Sequence, residues 1–157
     1  MDKRIPMTLA GYNRVTAELE RMKNEDRPAI LTEIEKASSE EGFSSARYLD
    51  ALEKEDFLSG WILDYEYALS HAQVIDPKNL SGNKVVFGAT VDVSDFWTGK
   101  KLTYQIVGQL EADLEKGRLS HISPLAKALL GKSKGNVVEV QTRKGTEKYK
   151  IMAIRFV

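Results

Sequence analysis

The chain has 157 residues, which is the size of one ordinary domain or of two small ones. It contains no cysteine, which excludes disulfides and thiolate metal sites, and its apolar stretches are too short to span a bilayer, so we expect an intracellular protein without a membrane partner. The net charge is zero, but the two halves of the chain differ in sign. Residues 1–75 carry 9 Lys or Arg and 15 Asp or Glu, and residues 76–157 carry 14 Lys or Arg and 8 Asp or Glu. This split indicates two units with different partners or two solvated surfaces of opposite charge.

The acidic half predicts two long helices. Thr8 is a candidate N-cap, and apolar residues then recur at spacings of three and four, which places them on one helical face. Pro28 predicts a kink or a short break, because proline removes a backbone donor and clashes with the preceding turn. A second run with the same spacing covers residues 46–70. The predicted apolar stripes are Tyr12, Val15, Leu19, Met22, Ile30, Ile34 and Ala37 in the first run and Tyr48, Ala51, Leu58, Ile62, Tyr65 and Leu69 in the second. Both runs show the alternation of a coiled-coil seam. The predicted first domain, residues 1–76, is therefore an antiparallel helical hairpin whose bend, residues 39–45, projects into solvent.

A turn-rich linker, residues 77–84, separates this hairpin from a predicted second domain, residues 85–157. Segments with period-two character predict antiparallel strands. These segments are KVVFGATVDV, KLTYQIVG, RLSHI, NVVEVQT and EKYKIMAIRFV. One short helix is predicted in SPLAKALLGK, with Ser123 as N-cap and Pro124 in the first turn. The fold class is therefore α+β in two units.

Few residues outside the bend indicate chemistry. His71 and His121 have no second histidine at metal-ligand spacing, and GKSKG lacks the spacing of a phosphate-binding loop. At the bend, the adjacent carboxylates Glu40 and Glu41 could hold a Mg²⁺ ion that another macromolecule also ligates. An acidic pair at a hairpin bend is more often a solvated turn, and the residues alone favour that interpretation.

Several segments together resemble the bacterial Gre-type transcript-cleavage factors over the full length of the chain. The segments are IPMTLAGY, RPAI, AQVID, VVFGAT, TYQIVG, ISPLAKALLGK and NVVEV. The resemblance implies an N-terminal coiled coil and an FKBP-like C-terminal domain, which docks on RNA polymerase. It also implies a bacterial, cytoplasmic protein whose coiled-coil tip enters the secondary channel of the polymerase. There the tip helps to hold a catalytic Mg²⁺ while the polymerase cleaves its own transcript.

The tip of this chain departs from the family pattern, Gly-Asp-Leu-Lys-Glu-Asn-Ala-Glu-Tyr. Ala46 and Tyr48 match its end, and counting back without a gap puts the aspartate on Glu41 and the first glutamate on Ser44. The second glutamate falls on Arg47. A serine hydroxyl is a weak neutral ligand for Mg²⁺, which prefers charged oxygens. The tip residues are Glu40, Glu41, Gly42, Phe43, Ser44, Ser45 and Arg47.

The resulting prediction is a Gre-type elongation factor that binds core RNA polymerase and stimulates transcript cleavage weakly or not at all. We expect it to be a cofactor of the polymerase rather than an enzyme, with Mg²⁺ belonging only to the polymerase active site. Ser123 and Pro124 are the predicted docking residues. Phe43 is predicted to pack over the last apolar layer of the hairpin, with Ala37 and Tyr48 as neighbours, unless it instead contacts the polymerase or stacks on the RNA 3′ end. The residues are also compatible with an active cleavage factor working through Glu40 and Glu41, with a peptidyl-prolyl isomerase, and with a plain protein-interaction module.

Overall fold

The computed structural model describes residues 3–157 and divides into two compact units. One unit contains residues 13–71, and the other combines residues 3–12 with residues 72–157. Residues 1 and 2, which the predicted first domain includes, lie outside the described residues. Among the described residues, no helix is both long enough and apolar enough to cross a membrane.

Three α-helices dominate the first half of the chain. They are α1 (Leu9–Arg21), α2 (Arg27–Glu41) and α3 (Ala46–Ser70). A π-helical turn, Met22–Asp26, joins α1 to α2, and the N–H of Arg27 donates to the carbonyl of Met22 across five residues. Where the sequence predicts a kink or a short break at Pro28, the chain therefore stays helical. Pro28 lies in the first turn of α2, where a backbone N–H is not needed for the hydrogen bonds of a regular helix.

The hairpin of residues 13–71 buries the face that the sequence predicts. Its buried apolar residues are Val15, Met22, Ala37, Ala51, Ile62 and Ala68. All but Ala68 belong to the predicted stripes, and the segments pack antiparallel, with Lys23 Nζ 2.9 Å from Glu66 Oε1 across the pair. The periodicity of apolar residues thus specifies which helix faces meet.

The second unit is built on a five-stranded curled mixed sheet. Its strands are β3 (Thr90–Asp95), β4 (Lys101–Val107), β5 (Arg118–Ser120), β6 (Val137–Thr142) and β7 (Gly145–Arg155). They lie in the order β5-β4-β3-β7-β6, and every pairing is antiparallel except the parallel pair β4–β5. The short helix α4 (Pro124–Leu129) packs its buried residues Ala126 and Leu129 into the core of this sheet.

Two further strands alter the predicted domain boundary. β1 (Ile5–Thr8) and β2 (Ala72–Ile75) pair in parallel, and both belong to the unit that contains the sheet. The sequence places them in the helical domain because they are only four residues long and flank the helices directly. The buried carboxylate of Glu111 accepts hydrogen bonds from the N–H and hydroxyl of Thr8, which ties β1 to the turn that follows β4.

Two details of the predicted sheet also differ. The segment 85–89, predicted as part of a strand, is irregular, because Gly88 has φ +90° and turns the chain before β3 begins. The predicted sheet is antiparallel throughout, whereas β5 pairs in parallel with β4 after a connection through short 3₁₀ turns. The last two predicted strands, NVVEVQT and EKYKIMAIRFV, are confirmed as β6 and β7, and they pair as an antiparallel hairpin.

Candidate functional site at the bend of the helical hairpin

The bend between α2 and α3 is closed by a glycine and a serine. Gly42 ends α2 with φ +89°, a conformation that L side chains rarely adopt, and its N–H donates to the carbonyl of Ser38 at 3.1 Å. Ser45 then caps α3, because its Oγ accepts the N–H of Tyr48 at 3.1 Å. The same hydroxyl donates to the carbonyl of Gly42 at 3.0 Å, which fixes the loop from both sides.

Arg47 lies at the centre of an ion-pair cluster at this bend. Its Nε donates to Glu33 Oε1 at 2.7 Å, and its Nη1 donates to Glu40 Oε2 at 2.7 Å and to Glu41 Oε2 at 3.1 Å. A second bond joins Nη2 to Glu33 Oε2 at 3.2 Å, so the contact with Glu33 is bidentate. We call these four residues, Glu33, Glu40, Glu41 and Arg47, the Arg47 cluster.

The Arg47 cluster has a clear electrostatic consequence. The hydrogen bonds that Arg47 donates to Glu33, then to Glu40 and Glu41, raise the pKa of its guanidinium, which stays charged at all working pH values. In return, the hydrogen bond from Arg47 lowers the pKa of Glu33 below its usual range. The two carboxylates that the sequence singled out are thus already engaged by a permanent cation of the same chain.

This arrangement does not fit a bound Mg²⁺ ion. Ser44, at the position of a family acid, is exposed and offers only a neutral hydroxyl. Within residues 3–157, no group of three or more His, Cys, Asp or Glu side chains is placed to hold a metal. A cation approaching Glu40 or Glu41 would also meet the positive charge of Arg47 at the same oxygens.

Phe43 packs less closely than the sequence predicts. Its ring meets the ring of Tyr48 edge to face, with centroids 5.3 Å apart, so one of the two predicted neighbours is present. The side chain is nevertheless 71% exposed, whereas Ala37, the second predicted neighbour, is fully buried. Phe43 therefore adds little to the core and presents most of its ring to solvent at the apex of the bend.

Sequence reasoning missed Glu33, the strongest partner of Arg47. Glu33 lies 14 residues before Arg47 and on the opposite helix, and no spacing rule links two residues across a hairpin. The available signal was the antiparallel pairing itself, since folding back at residues 42–45 brings the last two turns of α2 beside the first turn of α3.

The predicted docking residues lie at the start of α4. The Ser123 hydroxyl accepts the N–H of Ala126 at 3.3 Å and donates to the carbonyl of Ser120 at 2.7 Å, so it serves as the N-cap that the sequence predicts. Pro124 and Ile122 are exposed, and Ile122 retains 45% of its accessible surface. The surface left for a partner at this point is therefore apolar rather than a free hydroxyl.

His121 stands beside this surface. Its ring lies edge to face with Phe87, with centroids 5.6 Å apart. Burial lowers the pKa of His121, opposed by the charge of Glu111, so the ring is neutral at physiological pH. A separate cleft of about 250 Å³ lies on the same unit between β3, β4 and β7. Its lining includes Val93, Leu102 and Met152 but no aromatic ring. This lining does not favour the alternative of a peptidyl-prolyl isomerase, which needs an aromatic proline pocket.

Comparisons with known proteins agree over both units. The family model described as "Transcription elongation factor, N-terminal" matches residues 5–74, and the model described as "Transcription elongation factor, GreA/GreB, C-term" matches residues 80–156. A curated protein of Thioalkalivibrio sulfidiphilus named "Transcription elongation factor GreA" is 46% identical, over 97% of this chain and 98% of its own. A protein of the same name from Cereibacter sphaeroides is also 46% identical, over the whole of both chains.

Among solved structures, the GreA factor homolog 1 (Gfh1) protein of Thermus thermophilus is 26% identical over 98% of this chain and 99% of its own, with a TM-score of 0.46. Because this TM-score is below 0.5, the assignment of the family rests on the family models and the curated relatives.

These relatives correct one expectation. The chain was expected to be a polymerase cofactor and not an enzyme, but proteins that match it over its whole length are named GreA, and the Gre-type resemblance implies a direct part in transcript cleavage. The expectation that this chain is not an enzyme is therefore wrong. The two matching family models and the full-length relatives show that this chain belongs to the GreA/GreB family of transcription elongation factors.

Proposed function

We propose that this protein binds core RNA polymerase, enters its secondary channel with the bend of the helical hairpin, and stimulates transcript cleavage only weakly. The observation that carries the proposal is the Arg47 cluster, in which both carboxylates of the bend are held by an arginine of the same chain. In the family pattern this position carries a second glutamate, so the substitution replaces a negative charge by a positive one.

The physical argument concerns competition for the same oxygens. Arg47 lies in the first turn of α3, and its side chain is anchored at the far end by the bidentate contact with Glu33. It is therefore held close to Glu40 and Glu41 even when one of those bonds opens. Hydrogen bonds between ionised groups are stronger than those between neutral groups, and a fixed partner loses little side-chain entropy when they re-form. The carboxylates are thus a poor metal-ligating pair in this protein.

The docking part of the proposal assigns the main polymerase contact to the sheet-containing unit. The segment 76–157 carries six more positive than negative side chains. Exposed Ile122 and Pro124 provide an apolar centre beside these charges. Electrostatic attraction between exposed charges is screened by salt, so binding to the polymerase should weaken as the ionic strength rises.

The test is a cleavage assay on a stalled, backtracked elongation complex with a radiolabelled transcript. A curated GreA relative that carries the acidic family pattern serves as the positive control, and buffer alone gives the intrinsic rate. We expect the wild-type chain to produce a rate near the intrinsic one. We also expect excess chain to slow cleavage by the relative, because both would occupy the same channel.

Strong cleavage by the unmodified chain, abolished by Glu41→Ala, would refute the proposal and show that Glu40 and Glu41 suffice. Failure of the chain to compete with the relative, or to co-purify with core polymerase, would leave a plain interaction module as the better interpretation.

A further inference from the structure

A glycine in the middle of α3 has no structural reason within the chain. Gly60 is exposed, and a Cβ atom built on it would meet no other atom within 4 Å. Its backbone is helical and does not lie in the left-handed region that requires glycine. Glycine is the least favourable helix-interior residue after proline, so alanine would be preferred at this position on local grounds alone.

Gly60 lies in a shallow depression on the surface of the helix that is open to solvent, which we call the notch. The notch has a volume of about 240 Å³ and is lined by Asp56, Phe57, Gly60, Trp61 and Asp64. Gly60 forms its floor, with Asp56 one turn before and Asp64 one turn after. The aromatic side chains form one wall and are strongly exposed, Phe57 at 64% and Trp61 at 51%.

The wall of the notch is held in place by its neighbours. The ring of Trp61 meets the ring of Tyr65 edge to face, with centroids 6.0 Å apart. Tyr65 is partly buried, and desolvation raises the pKa of its hydroxyl, so this ring stays neutral and apolar. The contact with Tyr65 restricts the Trp61 ring before any partner arrives, which lowers the entropy lost on binding.

The charges around the notch select a cationic occupant. In the part of the chain that the structure describes, Asp56 and Asp64 form no ion pair. The nearest lysine on the helix, Lys54, is paired with Asp50 at 3.0 Å. The unit of residues 13–71 carries 7 Lys or Arg and 14 Asp or Glu, so its wider field is also negative. An exposed aromatic pair beside two carboxylates attracts a guanidinium or ammonium group.

We propose that this notch binds an arginine or lysine side chain of core RNA polymerase, and that Gly60 is present to let that side chain reach the helix backbone. This inference rests on the proposed function, because it takes the polymerase as the partner. The notch lies in the middle of α3, away from the Arg47 cluster at the bend. A substitution in the notch should therefore alter the affinity for the polymerase and leave any transcript cleavage that depends on the bend unchanged.

Gly60→Ala provides the sharpest test, because folding and binding should respond in opposite directions. The added methyl group improves helix propensity, so the melting temperature should rise. The same methyl group fills the floor of the notch, so affinity for core polymerase should fall about threefold to tenfold. Trp61→Ala should weaken binding about tenfold, which is the size expected for a lost desolvated cation–π contact. Leu63→Ala is the matched control, since Leu63 is 67% exposed on the same helix but does not line the notch.

Binding is measured for each full-length variant by fluorescence anisotropy with labelled chain and purified core polymerase at two salt concentrations. Asp56→Asn combined with Asp64→Asn should weaken binding and flatten its salt dependence, because two charges of the contact are removed.

Equal affinities for wild type, Gly60→Ala and Trp61→Ala would overturn this inference and leave the proposed function intact. Absence of binding by the wild-type chain would overturn both. A lower melting temperature for Gly60→Ala would show that the glycine has a structural role and would also contradict the argument. If sedimentation shows that the chain self-associates and that Trp61→Ala abolishes the association, the notch is an interface between two copies and the inference is wrong.

Discussion

The buried carboxylate of Glu111 offers the most direct test of how the sheet-containing unit is held together. Glu111 is 4% exposed, and its carboxylate accepts the N–H of Thr8 at 3.0 Å, the hydroxyl of Thr8, and the N–H of Gly108 at 2.9 Å. The two contacts with Thr8 span 103 residues of sequence. Gly11 closes the site from the helix side, since a Cβ at that position would overlap the Glu111 carboxylate.

We expect Glu111→Ala to destabilise the protein by about 3–5 kcal/mol. The substitution leaves two backbone N–H groups without acceptors in a buried site, each worth roughly 1–3 kcal/mol, and the empty space of the side chain adds a smaller packing loss. For a chain of this size, about 1 kcal/mol lowers the melting temperature by roughly 2–4 °C, so the expected decrease is on the order of 10 °C.

The assay is thermal unfolding followed by circular dichroism, together with urea unfolding at 25 °C. Glu115→Ala is the control, because Glu115 is an exposed glutamate four residues along the same segment and its loss should change stability by about 0.5 kcal/mol or less. Thr8→Ala should show part of the loss, and the two substitutions together should cost less than their sum because they remove the same contact. A Glu111→Ala variant as stable as Glu115→Ala would refute the claim that this carboxylate joins β1 to the sheet.

Three further predictions concern the bend and the docking region. Ser44→Glu with Glu41→Asp should restore part of the transcript cleavage in backtracked complexes, and adding Arg47→Glu should raise it further by removing the competing cation; no gain from the triple variant would refute the argument about the Arg47 cluster. Phe43→Ala should change stability by less than about 1 kcal/mol in thermal unfolding, because the ring is 71% exposed and makes one edge contact. Since burial lowers the pKa of His121, the unfolded chain binds its proton more readily, so the stability that this residue contributes at neutral pH should be lost as the pH falls below about 6.5; a His121→Gln variant with the same pH dependence of unfolding would contradict this.

The long periodic segments were predictable from the sequence, because burial of an apolar face is the main stabilising term in a helix pair. The positions Val15, Met22, Ala51 and Ile62 are buried where the spacing of three and four places them. The short strands β1 and β2 were not predictable in this way. Four residues carry too little periodicity, and their partners lie far away along the chain, so only tertiary contacts decide that they pair.

The bend was predictable in its position but not in its contacts. The segment Gly42-Phe43-Ser44-Ser45 marks the loop, and Ser45 caps α3. The bidentate contact of Arg47 with Glu33 depends on the register of two helices across the hairpin, which a single sequence does not specify. The electrostatic state of Glu40 and Glu41 follows from that register, and the candidate chemistry of the site therefore depended on the structure.

The bend can change its chemistry without changing the fold, because its functional side chains lie outside the core. The buried residues nearest the bend are the alanines Ala37 and Ala51, whereas Glu40, Glu41 and Ser44 are exposed. Substitutions at exposed positions usually alter stability by about 0.5 kcal/mol or less, so selection for a stable hairpin places few limits on them. This chain is 46% identical to a protein named GreA, and it carries an arginine, Arg47, where the family pattern places a glutamate. If the proposed function is correct, Arg47 is the exposed side chain of the bend whose removal should change cleavage most.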